Sequence, residues 1–330
     1  MRAGGGVRVT VGLSLHRPEI IPWTARAVAG HEAVFLEEPP DPGFGDMLRG
    51  ALAVDDYLAT IDTEYPAFSR GMCRLLRGLH DAGTALHQVE PFLEILISIH
   101  EFFAAGHRPA DIAADSIQHP VYLAERAATA ALLAYYRATA VGTFEEAVRA
   151  VLRFARADAA RFRLRDSLRA QALAPLVERY RSSYVEAGWI HARLPMELRR
   201  RLPGAFRVRT IFLPSRALTG SGEPGLRYSP GDRLTLLYLF RPGFRHPVKE
   251  PLLAARAMIH AKILLKEESP EDPDRLPHLR DEAYCTRLVE RLSLDACRLL
   301  FPEIRRLPTA EARRRVEAAA GGPGPCLSAP

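Results

Sequence analysis

The sequence predicts an α/β protein: a central mixed sheet flanked by helices, built around two strand-(Gly-His)-helix-strand units, with a mainly helical C-terminal extension. Three observations lead there. Short β-rich runs alternate with longer helical stretches, the grammar of β-α-β construction. The succession strand, glycine, histidine, helix, strand occurs twice, near residues 7–36 and 183–213, and reads as an internal duplication. The 330 residues, 48% apolar and 25% charged, suffice to bury a large core and exclude a disordered or fibrous class.

The elements follow in chain order. Val7-Arg8-Val9-Thr10-Val11 alternates as a strand does, and Gly12 punctuates its end. Pro18 suits a first helical turn ahead of a helix over 19–29. Ala33-Val34-Phe35-Leu36 forms the second strand and delivers Glu37 and Glu38 before Pro39-Pro40 stops it. Residues 46–83 are helical, with a break at Tyr65-Pro66 and amphipathic spacing through Met72, Leu75, Leu76 and Leu79. A strand over 85–90 ends in Pro91, and a helix over 93–105 follows it. Residues 121–181 read as two or three helices rich in alanine and arginine. Strand 183–187 ends at Gly188, with His191 three residues on, a helix over 195–202 and a strand over 208–213.

The predicted domains are 1–215, the α/β domain, and 216–330, an extension of a hairpin and helices. A loop over 219–232 precedes a strand over 234–240, and helices start near Pro251, Asp281 and Thr309. The segment from about 321 is expected to be a disordered tail.

Composition narrows the function classes. The net charge of +6 rests on many arginines set among abundant acids, which describes a solvated surface, and no nucleic-acid motif accompanies it. Nucleic acid is therefore not an expected partner. The four cysteines, Cys73, Cys285, Cys297 and Cys326, form no CxxC pair, so a zinc ribbon is not indicated and a reducing cytoplasm fits. The N-terminus lacks the apolar run of a signal peptide, and no stretch approaches the roughly 20 apolar residues of a membrane span. HExxH, GxSxG, Walker A and GxGxxG do not occur in usable context, which removes the common metalloprotease, serine hydrolase and nucleotide-binding readings.

Ligands of open α/β sheets collect at the carboxyl ends of strands. His16, Glu37, Glu38, Glu90 and His191 all fall at or just past such ends. Gly12 and Gly188 would leave room for a ligand beside the backbone. Successive strand residues face opposite sides, so only one of Glu37 and Glu38 is expected to line the site, with Glu37 preferred. Arg165, on the helix leading into the second unit, suits a site carboxylate or an anionic substrate group. His16, Glu37 and His191 would suit a divalent metal such as Zn²⁺, Mn²⁺ or Fe²⁺, which lowers the pKa of bound water. Without metal, a carboxylate held by its surroundings would activate water while a histidine stabilises developing charge. His100 and His260 sit in apolar helical patterns and are expected to be structural.

This layout resembles the superfamily that unites TraB and PrgY pheromone-shutdown proteins, Tiki proteases, erythromycin esterases and ChaN-like haem-binding lipoproteins. Its pattern is a Gly-x-x-His after one strand, a glutamate after the next, an arginine on a helix and a second Gly-x-x-His. The matching residues here are Gly12 and His16, Glu37 or Glu38, Arg165, and Gly188-Trp189-Ile190-His191, within residues 7–215. The first motif carries one extra residue between glycine and histidine. The resemblance implies a hydrolase of an ester or amide bond acting on a small molecule or peptide. The alternative is a non-enzymatic binder of haem, iron or a regulatory ligand.

Overall fold

The computed structural model describes residues 7–268 and 275–321. Both Cys326 and the tail expected from about 321 therefore lie almost wholly outside the described residues. Five strands, β1 (Arg8–Ser14), β2 (Ala33–Leu36), β3 (Ala85–Gln88), β4 (Ser182–Gly188) and β5 (Arg207–Phe212), form one sheet in the order β3-β2-β4-β1-β5. The α/β class expected from the sequence is observed. All four pairings are parallel, however, so the sheet is not mixed. Parallel neighbours require long crossovers, and the helical stretches between strands supply them.

The chain divides into two compact units. The first comprises the described residues of Met1–Leu123, Phe162–Gly225 and Glu268–Pro277; the second comprises those of Ala124–Arg161, Leu226–Glu267 and His278–Pro330. The expected cut after residue 215 falls within a helix of the first unit, and residues 124–161 group with the C-terminal helices.

Apart from two short 3-10 turns, the first unit's connections are α-helical. They are α1 (Ile21–Val28), α2 (Phe44–Arg49), α3 (Val54–Thr60), α4 (Pro66–Asp81), α5 (Pro91–Ala104), the start of α6 (Gln118–Val141), the second half of α7 (Phe144–Val177), α8 (Leu194–Arg201) and α9 (Leu213–Gly220). Strand alternation sorts side chains onto two faces. Val9, Val11 and Leu13 of β1, Phe35 of β2, and Val185 and Ala187 of β4 pack with Leu173 and Val177 of α7 and Leu194 and Leu198 of α8. Val34, Leu36 and Tyr184 face the other way, onto Met47, Tyr57, Leu58 and Leu76 of α2, α3 and α4. Each such large apolar side chain contributes about 1.5–3 kcal/mol on burial.

Gly12 lies inside β1 rather than at its end. A Cβ there would come 1.8 Å from the Tyr184 hydroxyl of β4, so the ring occupies the space a side chain would need. This glycine is a packing requirement between neighbouring strands and not a ligand cradle.

Among its described residues the regular elements of the second unit are all helices, joined by short loops. It contains α10 (Pro230–Phe240), α11 (Lys249–Ile263), α12 (Pro277–Glu290), α13 (Leu294–Ile304) and α14 (Thr309–Ala319), together with parts of α6 and α7. The strand expected over 234–240, and with it the hairpin, is helix α10. Ser229 and Asp232 form a reciprocal capping box and Pro230 occupies the first turn, and these start signals override the strand-like run Leu234-Thr235-Leu236-Leu237-Tyr238. His260 is buried as expected, its Nε2 3.2 Å from Glu282 and 3.3 Å from Thr286 Oγ1. His100, by contrast, is exposed on α5. Among the described residues no helix is long and apolar enough to cross a membrane.

Candidate functional site

At the carboxyl ends of β2, β3 and β4 the chain buries three acidic and three basic side chains together. Glu37 follows β2, Glu90 follows β3, His191 follows β4, and α7 supplies Arg165, Asp166 and Arg169. Arg165 and Arg169 are one helical turn apart, so both guanidinium groups reach the same sheet edge.

Glu37 is the hub. Its Oε1 accepts from His191 Nε2 at 2.7 Å and from Arg165 Nη2 at 3.3 Å, while its Oε2 accepts from the Gly188 backbone N–H at 2.5 Å and lies 3.5 Å from Arg169 Nη1. Burial opposes the charge on Glu37, but His191 and then the two arginines outweigh it and hold the carboxyl well below its usual range. His191 is 2% exposed and donates Nδ1–H to Asp166 Oδ1 at 2.5 Å. Burial alone would lower its pKa; Glu37 and Asp166 win, and the imidazole is raised to about 9. At neutral pH it is an imidazolium spanning two carboxylates, with the Phe162 ring edge-on at 5.0 Å.

Arg169, fully buried, donates Nε to Val89 O at 2.9 Å and Nη2 to Glu186 O at 2.7 Å, fastening α7 to the ends of two strands. Glu90 lies 3.5 Å from Arg165 Nε and 3.7 Å from Arg169 Nε. Among the described residues, both Glu90 oxygens, Asp166 Oδ2 and Arg169 Nη1 nevertheless lack hydrogen-bond partners. Burying charge without full hydrogen bonding costs several kcal/mol per ion, a departure from stability-optimised packing that marks functional sites more often than structural ones.

Above this network a cavity of about 530 Å³ opens between the sheet edge and α2–α5. Its floor carries His16, Glu37, Glu38, Gln88 and Glu186; Tyr57, Phe68, Met72 and Leu93 supply walls. Strand alternation assigns these positions. Glu186 shares the face of Tyr184, the cavity side of β4, whereas Val185 and Ala187 turn to α7 and α8. The alternation carries past β2 as well: Glu37 turns to the arginines, and Glu38 turns to Gln88, whose Nε2 donates at 3.0 Å. Both glutamates reach the cavity lining, where only one was expected.

Glu186 is 7% exposed, and its Oε2 accepts from the Glu37 backbone N–H at 3.3 Å. Its Oε1 has no hydrogen-bond partner among the described residues. Burial raises the pKa of Glu186; His16 opposes the rise and Glu37 adds to it. Glu38 is raised by desolvation within the cavity and then by the charge of Glu186. His16, past the end of β1, is exposed to the cavity, stacked on Phe68 at 5.1 Å and edge-on to Tyr65 at 6.3 Å.

The sequence-predicted residues thus divide. Glu37, Glu90, Arg165 and His191 meet in the buried network. His16 and Glu38 stand in the cavity, and His191 is not part of its lining. Gly188 supplies its N–H to Glu37, and a Cβ there would make only ordinary contacts, 3.6 Å from Glu37 and from His191. Sequence reasoning missed Glu186, Asp166 and Arg169 as site residues. A glutamate inside the apolar run Val185-Glu186-Ala187, and a polar cluster recurring at helical spacing from Arg165, were the available signals.

The expected set His16, Glu37 and His191 is divided between two places: His16 stands open in the cavity, while the His191 ring nitrogens face Asp166 and Glu37 and two arginines flank Glu37. Among the described residues no group of three or more His, Cys, Asp or Glu is arranged to hold a metal.

No protein-family model matches the chain, and no solved structure matches it. A protein of Archaeoglobus fulgidus described as uncharacterized is 31% identical over 276 residues, which span 83% of this chain and 90% of that protein. The chain belongs to the same family as this archaeal protein.

Proposed function

We propose that the cavity hydrolyses an ester or amide bond without a metal. The single observation that carries the reading is the unpartnered Oε1 of Glu186, a carboxylate of raised pKa that faces the cavity beside His16. A buried carboxylate whose pKa is raised above its ordinary value is a stronger base than a solvated one and suits general-base work. In this reading Glu186 takes a proton from a water as its oxygen attacks the carbonyl carbon. His16 stabilises the negative charge that develops on the carbonyl oxygen. Collapse of the tetrahedral intermediate breaks the bond to the leaving group, which departs with the proton held by Glu186.

The buried network then acts at one remove. His191, Arg165 and Arg169 fix the carboxylate of Glu37, and Glu37 in turn presents its backbone N–H to Glu186. Glu37, Glu90, Arg165 and His191 are positioning residues in this scheme. The buried free thiols of Cys73, Cys285 and Cys297 support a reducing, cytoplasmic setting.

The test is turnover of nitrophenyl esters and amino-acid anilides by the purified protein. Both His16→Ala and Glu186→Gln are expected to lower kcat by about 100-fold or more with unchanged melting behaviour. Wild-type rates in the two variants overturn the assignment. Absence of turnover by the parent protein, with a tightly held chromophore in its absorption spectrum, would favour the ligand-binding alternative.

A further inference from the structure

The cavity's charge runs against that of the molecule. The chain carries 45 lysines and arginines against 39 acidic residues, yet among the described residues no lysine or arginine lines the cavity. Six acidic residues do: Glu37, Glu38, Asp41, Asp62, Glu64 and Glu186. Glu37 is neutralised from behind by the arginines and His191. Among the described residues the others form no ion pair with a lysine or arginine, His16 being the group whose charge Glu38 and Glu186 feel, and hydrogen bonds reach them from neutral donors: Gln88 to Glu38, the Gly43 N–H to Asp41 and the Tyr65 hydroxyl to Glu64. Between these acids lie the rings of Tyr57, Tyr65 and Phe68.

We propose that the ligand of this cavity is an organic cation, an ammonium group on an apolar or aromatic body, with Glu38 as the residue that selects the charge. Two independent features carry the inference beyond the count of acids. The first is Glu186, more than nine-tenths buried, which lines the cavity and whose side chain, among the described residues, takes a single hydrogen bond, at Oε2, leaving Oε1 for a polar group of the ligand. The second is the combination of carboxylates with aromatic faces, which suits an alkylammonium and rejects an anion. The ring quadrupole attracts a cation, and the acidic cleft concentrates cations from solution. Burial raises both Glu38 and Glu186, and a neighbouring carboxylate adds to each, Glu186 to Glu38 and Glu37 to Glu186. A bound ammonium relieves that repulsion and takes up the ionised form of Glu38.

The inference rests on the cavity being the working site, and it names the substrate class of the proposed hydrolase. Its test is separable from turnover because it reads binding. Calorimetric titration of the full chain with phenylpropylamine, phenylpropanol and phenylpropanoate, three ligands of one shape and different charge, is expected to give affinity in that order. The amine should lead the alcohol by about 10-fold or more, a lead that shrinks as salt is raised. Glu38→Gln should remove most of that lead while leaving the alcohol's affinity unchanged. Because Glu38 opens onto the cavity, this variant should fold; if it does not, Asp62→Asn, at the rim, should still reduce the lead. Equal affinity for amine and alcohol, or preference for phenylpropanoate, overturns the proposal. Amine selectivity without ester turnover would leave this inference standing and remove the hydrolase. Turnover of neutral esters without amine selectivity would do the reverse.

Discussion

The two strand-histidine segments look alike in sequence and are built differently in space. In the first, His16 follows β1 and stands open in the cavity, stacked on Phe68. In the second, His191 follows β4 and lies buried between Glu37 and Asp166. The register explains the divergence. The strands are parallel neighbours, but Gly12 pairs with Glu186 and Gly188 pairs with Ser14, so the glycines that align in sequence stand two residues apart in the sheet. The extra residue before His16 adds to the offset. One histidine therefore opens into the cavity, and the other locks the carboxylate beneath it. Similar spacing of a motif fixes neither the depth nor the charge state of its histidine; its neighbours on other elements do.

The largest expected difference between the two is in stability. His191→Ala leaves Glu37 and Asp166 as buried carboxylates facing an empty space, and is expected to cost about 3–5 kcal/mol in denaturant unfolding. His16→Ala, at an exposed position, should cost less than about 1 kcal/mol. Equal costs would break the contrast.

The pH dependence of folding sharpens it. The imidazole of His191 is raised from 6.5 to about 9 in the folded state, so its contribution is fully present below pH 6.5 and is lost as pH rises through 9. That contribution is of order 3 kcal/mol, from about 1.4 kcal/mol per pH unit. Glu37 acts in the opposite window: its lowered pKa stabilises above pH 4.5 and the benefit fades as pH falls below it. Chemical denaturation across this range should show stability declining between pH 6.5 and 9 in the parent and a flatter profile in His191→Asn.

A smaller effect separates the two glycines. Gly12→Ala drives a methyl into the Tyr184 ring and is expected to cost about 1–3 kcal/mol. Gly188→Ala, with 3.6 Å of clearance, should fold with less than about 1 kcal/mol lost. Comparable melting temperatures for the two variants would contradict the packing role assigned to Gly12.

Much of the architecture was legible because β-α-β patterning is local. All five strands and the connections between them follow from β-branched runs, turn residues and amphipathic spacing. Helix α10 was misread because its apolar run Leu234-Thr235-Leu236-Leu237-Tyr238 has no helical period, and the capping pair Ser229 and Asp232 decides it. The site was legible in part. Strand ends pointed to Glu37, Glu90, His16 and His191, and helix position to Arg165. What no local pattern reveals is the pairing: that α7 brings Asp166 and Arg169 to the same edge, or that β4 inserts between β1 and β2 and so sets Glu186 beside Glu37. The contacts of Glu37 with Arg165, Arg169, Glu186 and His191 join residues more than a hundred positions apart, and sheet order rather than sequence order produces them.

His191 is a buried imidazolium clasped by two carboxylates, and the rest of the network depends on it. The direct measurement is a nitrogen-15 NMR titration of the histidine side chains, with His191→Asn assigning the resonance. Both ring nitrogens of His191 are expected to stay protonated through neutral pH, with the ring titrating near pH 9. A neutral ring with a midpoint at or below 6.5 would contradict it.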